Sequence, residues 1–230
     1  MVAGLLGSLA CAHRGAPVRT QDPGDPIEAT WGLAARDLGT QSLFRVRYGG
    51  RKGTGGLRLI LRLDTSDRFQ LVASDVLGRA VWSMELYDRQ VLLVNHSEKT
   101  YCLVGMELVL PEVALDPLPV RALPKVLLGY LPVAVGADSL SGNGRFDFTD
   151  PDHRRWTGSL EAGKPSSWML WEEEQPVLWW TRQDKGGILS HREGEQFRWR
   201  TVVREPLEDG FERLAVPGSY AKAACYESHV

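Results

Sequence analysis

Asp150, Asp152 and His153 fall together around Pro151. A carboxylate beside an imidazole is the least that general acid–base chemistry requires. In a segment of Asp and Pro, the same grouping is more often a turn. Glu172, Glu173 and Glu174 precede Gln175-Pro176 and read as a solvated turn. His96 and His191 stand singly in or beside strand-like runs. The sequence contains no Gly-x-Ser-x-Gly elbow and no His-Glu-x-x-His pair. It has no Cys-x-x-Cys, and its five His are scattered, so no metal site is expected. Gly49–Gly56 (GGRKGTGG) has the glycines and lysine of a phosphate loop, but Lys52 is followed by Gly53 and then a strand. A phosphate loop needs Gly-Lys-Ser/Thr opening a helix, so this segment is expected to be a hairpin. With no catalytic constellation, the chain is expected to be no enzyme and to use no cofactor.

The three cysteines offer a different chemistry. Met1 to Ala10 is uncharged and rich in Leu, Ala, Gly and Val, and it ends at Cys11 after the small Ala10. This resembles the end of a bacterial lipoprotein signal, whose Cys becomes an acylated N-terminus. Ser8 stands where such signals usually carry Leu, and no Lys or Arg precedes the apolar run. A frayed apolar terminus with an incidental Cys is the alternative. Residues 12–26 (AHRGAPVRTQDPGDP) have the composition of a flexible tether. Ala12 after the Cys, in place of Asp, fits sorting to the outer membrane. In an oxidising periplasm Cys102 and Cys225 could pair or could remain two buried thiols. No run of about 18 apolar residues occurs. The net charge of −2, with acids and bases interspersed, argues against a nucleic-acid surface.

The elements that must position these residues are mostly strands. Ile27 to Leu38 reads as a short helix after Pro26. From there the period becomes two: Leu43–Tyr48, then Leu57, Leu59, Leu61 and Leu63 alternating with Arg58, Ile60, Arg62 and Asp64. Strands are expected at Arg68–Ser74, Arg79–Tyr87, Gln90–Asn95 and Lys99–Val104, an antiparallel meander. Leu110 to Pro132 breaks the pattern with one or two short, very apolar helices, opened by Pro119 and Pro124. These must lie on something apolar, most simply the concave face of the sheet. Strands resume at Arg145–Phe148, Trp156–Glu161, Trp168–Trp171, Val177–Arg182, Ile188–Arg192, Gln196–Arg204 and Phe211–Val216. The fold class is α+β and mostly antiparallel β: one sheet of about ten to twelve strands with a helical insertion, wide enough to have to curl or close. Residues 27–230 are read as one domain.

What exceeds background is apolar matter with no catalytic task. Leu57, Leu59 and Leu61 form a stripe, and Leu123, Leu127, Leu128 and Leu131 mark the insertion. Seven of the eight Trp fall on strands, Trp82 among them. A curved sheet under apolar helices encloses a cavity suited to acyl chains, unless side chains fill it completely.

Three features resemble the LolA/LolB superfamily of bacterial lipoprotein carriers and receptors, LolB most closely. The first is Asp67-Arg68-Phe69-Gln70-Leu71 leading to Ser74-Asp75-Val76-Leu77-Gly78 and a further strand. The second is Leu118–Leu123 followed by Val126-Leu127-Leu128-Gly129-Tyr130-Leu131-Pro132, similar to the receptor's lid helix. The third is the order of lipobox, tether, helix, strands, lid and strands. Val76 replaces the receptor's Pro, and Pro124 interrupts the lid. The resemblance implies a single unclosed β-barrel with a helical lid over an apolar cavity for acyl chains of lipoproteins or lipids. It implies a protein on the periplasmic face of the outer membrane, anchored through Cys11 and served by a periplasmic LolA-like carrier, with an exposed membrane-inserting Leu at position 77. An apolar residue before Gly in a tight turn can equally be tucked under its own hairpin. The competing functions are a glycan-binding module that uses Trp as stacking platforms and a purely structural envelope lipoprotein with a solid core. A monomer is expected.

Overall fold

The computed structural model describes residues 33–51, 53–106, 117–133, 141, 143–208 and 211–224. Cys11, the tether and Cys225 lie outside them, as does most of the helix expected at 27–38. The described end of that helix is a single 3-10 turn at Ala35–Asp37. It goes no further back because Ala34 is extended, with φ −67° and ψ 148°.

Six strands come first: β1 (Thr40–Gly50), β2 (Gly53–Thr65), β3 (Arg68–Ser74), β4 (Ala80–Tyr87), β5 (Gln90–Asn95) and β6 (Thr100–Gly105). A 3-10 turn at Val120–Ala122 and helix α1 (Leu123–Leu128) follow. The second run is β7 (Arg145–Thr149), β8 (Arg155–Glu161), β9 (Lys164–Glu172), β10 (Gln175–Gln183), β11 (Gly186–His191) and β12 (Gln196–Pro206), and β13 (Ala221–Lys222) ends it. They form one 13-stranded sheet in the order β13-β6-β5-β4-β3-β2-β1-β12-β11-β10-β9-β8-β7. Each run of six is an up-and-down meander, and the two are joined where β1 pairs antiparallel with β12. β7 and β13 are the two ends of the order and do not pair, so the barrel is open. Only β13, against β6, is parallel.

The strand expected at Phe211–Val216 is not a strand. This segment crosses the outer face of β3 and β4 as a strap held by side chains instead of a ladder. The Gln70 amide donates to the Glu212 carbonyl, and the Leu214 N–H donates to Glu85 Oε2 at 2.9 Å. Gln70 and Glu85 are therefore buried although they face away from the core. The strap explains why outward positions in these two strands carry buried polar groups, which need partners once water is excluded.

The core is one cluster on the concave face, shared by both meanders and the helical insertion. Leu118, Val120, Leu123, Val126 and Leu131 from the insertion are all buried. Burying an aliphatic side chain contributes about 1.5–3 kcal/mol, so the lid is held chiefly by this face. Pro124 opens the lid rather than interrupting it. It sits in the first turn of α1, where a missing N–H leaves no hydrogen bond unmade. Gly129 ends the helix in the left-handed region at φ 82°.

Candidate functional site

A cleft of about 270 Å³ opens between the concave face and α1. Its floor is the alternating inward set of four adjacent strands: Val46 and Tyr48 on β1, Leu57 and Leu59 on β2, Leu71 on β3, and Trp82 and Met84 on β4. Phe197 and Trp199 on β12 form one wall with Leu189 of β11, and Leu123, Val126 and Leu127 of α1 form the roof. Among the described residues, no side chain in this lining is charged. The polar atoms it offers are the Tyr48 hydroxyl and two indole N–H groups, and one of these is committed: Trp199 Nε1 donates to the Leu127 carbonyl at 3.0 Å. Apolar linings of roughly 300–1,000 Å³ are the usual size of small-molecule sites. This cleft lies just below that range.

The lid is pinned at its C-terminal end. The Trp199 bond holds Leu127, and Tyr130 donates its hydroxyl to Asp37 Oδ2 at 2.5 Å. Asp37 is 1% exposed and also accepts from Arg204 and from the Ala34 N–H. Burial, then the bond to the Asp37 carboxylate, raises the Tyr130 pKa, so this phenol stays a donor. Gly187 fits the same corner. A Cβ there would stand 2.4 Å from Trp180 Nε1 and 2.9 Å from Trp199 Cζ2, so only glycine lets these indoles close over β11.

Of the residues singled out from sequence, Leu57, Leu59, Trp82, Leu123 and Leu127 line the cleft. Leu61 and Leu131 do not. At 1% and 0% exposure they are packed in the core around it. Leu128 faces instead a polar pocket beside Tyr130 and Arg182. Val46, Leu71, Met84, Phe197 and Trp199 are among the other lining residues. These five follow the strand alternation, but which inward residues stay uncovered depends on where the lid rests.

Leu77 is 75% exposed and its neighbour Val76 is 69% exposed, so neither is tucked under the hairpin. They stand at the tip of a turn that Asp75 builds. Its carboxylate accepts from the Leu77 and Arg79 N–H groups at 2.9 and 3.0 Å and from the Arg79 guanidinium at 2.7 Å. The backbone and side-chain bonds from Arg79 hold this carboxyl below its ordinary value. Asp150 builds a matching turn, accepting from the N–H groups of Asp152 and Arg154. The Asp150–His153 grouping is thus a structural turn: the His153 backbone N–H donates to the Asp150 carbonyl at 2.9 Å. His96 is bonded between Ser83 and Tyr220. His191, Glu193 and Glu195 cluster at the β11–β12 turn. Cys102, on β6, is disulfide-bonded.

Of the strand tryptophans, Trp156, Trp168, Trp180 and Trp199 are buried. Among the described residues, an outer stacking platform would have only Trp171 and Trp179 to draw on, and Trp171 is already engaged by Arg155 and Thr157.

These features define a class: an open antiparallel half-barrel whose inserted helical lid roofs an apolar cleft. Among solved structures the chain is similar to a LolA superfamily protein from Nitrosomonas europaea, with TM-score 0.46 and 8% identity over 80% of this chain and 91% of that one. It is similar to a DUF1329 family protein from Desulfovibrio piger, with TM-score 0.49 and 12% identity over 82% and 95%. A domain from Vibrio parahaemolyticus named for outer membrane lipoprotein sorting gives TM-score 0.40 and 7% identity over 75% and 86%. No family model and no curated relative matches the sequence. Among the described residues, no helix is long and apolar enough to cross a membrane.

Proposed function

We propose that this protein is a lipid- or lipoprotein-binding component of the bacterial envelope that holds an acyl chain beneath its lid and catalyses no reaction. The observation that carries the reading is the cleft itself, a concave apolar lining without a charged side chain, roofed by the Leu-rich α1. Such a surface gains by removing methylenes from water, at about 0.8 kcal/mol per buried CH₂, and offers a polar substrate little beyond the Tyr48 hydroxyl and the Trp82 indole N–H. Residues 1–11 serve as a lipoprotein signal and Cys11 as the acylated anchor, with 12–26 as tether, on the periplasmic face of the outer membrane. The rigid Asp75 turn offers Leu77 as the residue that enters the bilayer when cargo from a LolA-like carrier is delivered. The disulfide of Cys102 is assigned to Cys225. The support for this assignment is β13, which runs parallel to β6 with Lys222 opposite Tyr101, one residue before Cys102.

The test is native mass spectrometry of the full chain together with displacement of a fluorescent fatty acid. Bound acyl chains, displaced by competitor and weakened at least tenfold by Leu59→Trp, are expected. No bound lipid and no displacement would overturn the reading. Leu77→Glu is expected to leave the fold intact while impairing delivery of cargo to liposomes. Palmitate incorporation that disappears in Cys11→Ser is the result expected for the anchor.

A further inference from the structure

The face of the sheet opposite the cleft carries a different signal. Arg45 and Arg47 on β1, Arg58 on β2, and Arg198 and Arg200 on β12 occupy the outward positions of their strands and are all exposed. Their register is unusual. Arg45 stands directly opposite Arg58 on one side and Arg200 on the other, and Arg47 stands opposite Arg198. Like charges in directly opposed positions destabilise a sheet. Other arginines of the molecule have acidic partners, as in Arg155–Asp147 and Arg204–Asp37. None of these five forms an ion pair among the described residues. In a chain of net charge −2 the concentration is not a product of composition. Four of them, with Gln183, line a groove of about 310 Å³ on this face.

The spacing says what could neutralise them. Adjacent strands lie about 4.8 Å apart and same-face residues about 7 Å apart along a strand, so five guanidiniums span roughly 10 by 7 Å. One phosphate cannot reach them all, whereas a lattice of anionic headgroups can. The exposed Val76–Leu77 tip follows β3 next to this face, with Arg58 in register with Ser74, the last residue of that strand. A cationic field beside an exposed apolar tip is the pairing that interfacial membrane binding uses.

We propose that this arginine face is a docking surface for anionic phospholipid membranes, separate from the cleft and independent of what the cleft holds. The full chain carrying Cys11→Ser, which cannot be acylated there, is tested by co-sedimentation with phosphatidylcholine vesicles and with vesicles containing phosphatidylglycerol. Binding is expected only with phosphatidylglycerol, to weaken as salt rises, and to fall at least tenfold when Arg45, Arg47, Arg198 and Arg200 are all changed to Gln. A second variant with Arg89, Lys99, Lys164 and Arg192 changed to Gln loses the same charge elsewhere and is expected to bind like the parent. The first variant should also melt no lower than the parent, because opposed like charges are removed. Equal binding by parent and the first variant would overturn the proposal. So would equal loss in both variants, or binding to soluble heparin with none to phosphatidylglycerol vesicles.

Discussion

The first meander fills its concave face mainly with aliphatic and thioether side chains, Leu59, Leu71 and Met84 among them, whereas β8, β9 and β10 fill theirs chiefly with Trp156, Trp168 and Trp180. The indoles form a continuous run, with ring centroids 5.6 Å apart between Trp156 and Trp168 and 6.1 Å between Trp168 and Trp180. No residue of β7–β10 lines the cleft. Large flat rings packed across three neighbouring strands, tilted between Trp156 and Trp168 and stacked between Trp168 and Trp180, fill this part of the concavity. Leucine and valine leave space beside the lid. The difference teaches that the aromatic sector is a solid support and the aliphatic sector the receptive surface. The support has a cost: Trp168 and Trp180 bury indole N–H groups without an acceptor among the described residues. Such groups cost about 1–3 kcal/mol each.

The largest expected effect separates the sectors directly. Trp168→Ala should lower stability by about 3–5 kcal/mol, as the loss of a fully buried aromatic does. Leu57→Ala, on the half-buried lip of the cleft, should cost about 1 kcal/mol or less. Urea denaturation of both variants checks this, and equal losses would break the distinction. Next in size is overpacking. Leu170→Trp in the filled sector should cost about 1–3 kcal/mol. Leu59→Trp can place its ring in the cleft, so it should melt near the parent while losing acyl-chain binding.

Within the aromatic sector a smaller difference is expected. Trp156 Nε1 donates to Asp150 Oδ2 at 2.9 Å, whereas Trp180 Nε1 donates to nothing described. Trp156→Phe should therefore be more destabilising than Trp180→Phe by about 1–2 kcal/mol.

The smallest effect is on pH. Burial pushes the Asp150 carboxyl up, but the Trp156 indole and the Arg154 amide and guanidinium outweigh it and leave the value below the ordinary 3.8. A depressed carboxyl contributes stability above its unfolded value and loses it as pH falls through the folded one. Acid titration should therefore destabilise the parent more steeply below about pH 4 than it destabilises Asp150→Asn.

Much of this architecture was readable from residue spacing. Alternation located β3 and β5 to the residue, at Arg68–Ser74 and Gln90–Asn95, and Pro119 and Pro124 marked the opening of the lid. Alternation failed where side chains carry no signal. β1 and β2 continue into Gly49–Gly50 and Gly53–Gly56 because ladder hydrogen bonds need only backbone. It misled at Phe211–Val216, whose apolar spacing reflects packing as a strap. The partners that hold the strap, Gln70 and Glu85, lie more than a hundred residues away. The site was half visible for a related reason. Inward-facing residues follow from period two, but whether Leu61 is packed in the core and Leu57 lines the cleft is decided by the resting place of α1.

The central claim is that an acyl chain lies over the aliphatic sector, beneath α1. A fatty acid carrying a photoreactive diazirine on its chain, bound to the full protein, irradiated and mapped by peptide mass spectrometry, tests it most directly. Adducts should fall on β2, on β4 around Trp82 and Met84, and on α1 from Leu123 to Leu127. Adducts confined to β8–β10 or to the outer face, or their absence under saturating ligand, would contradict it.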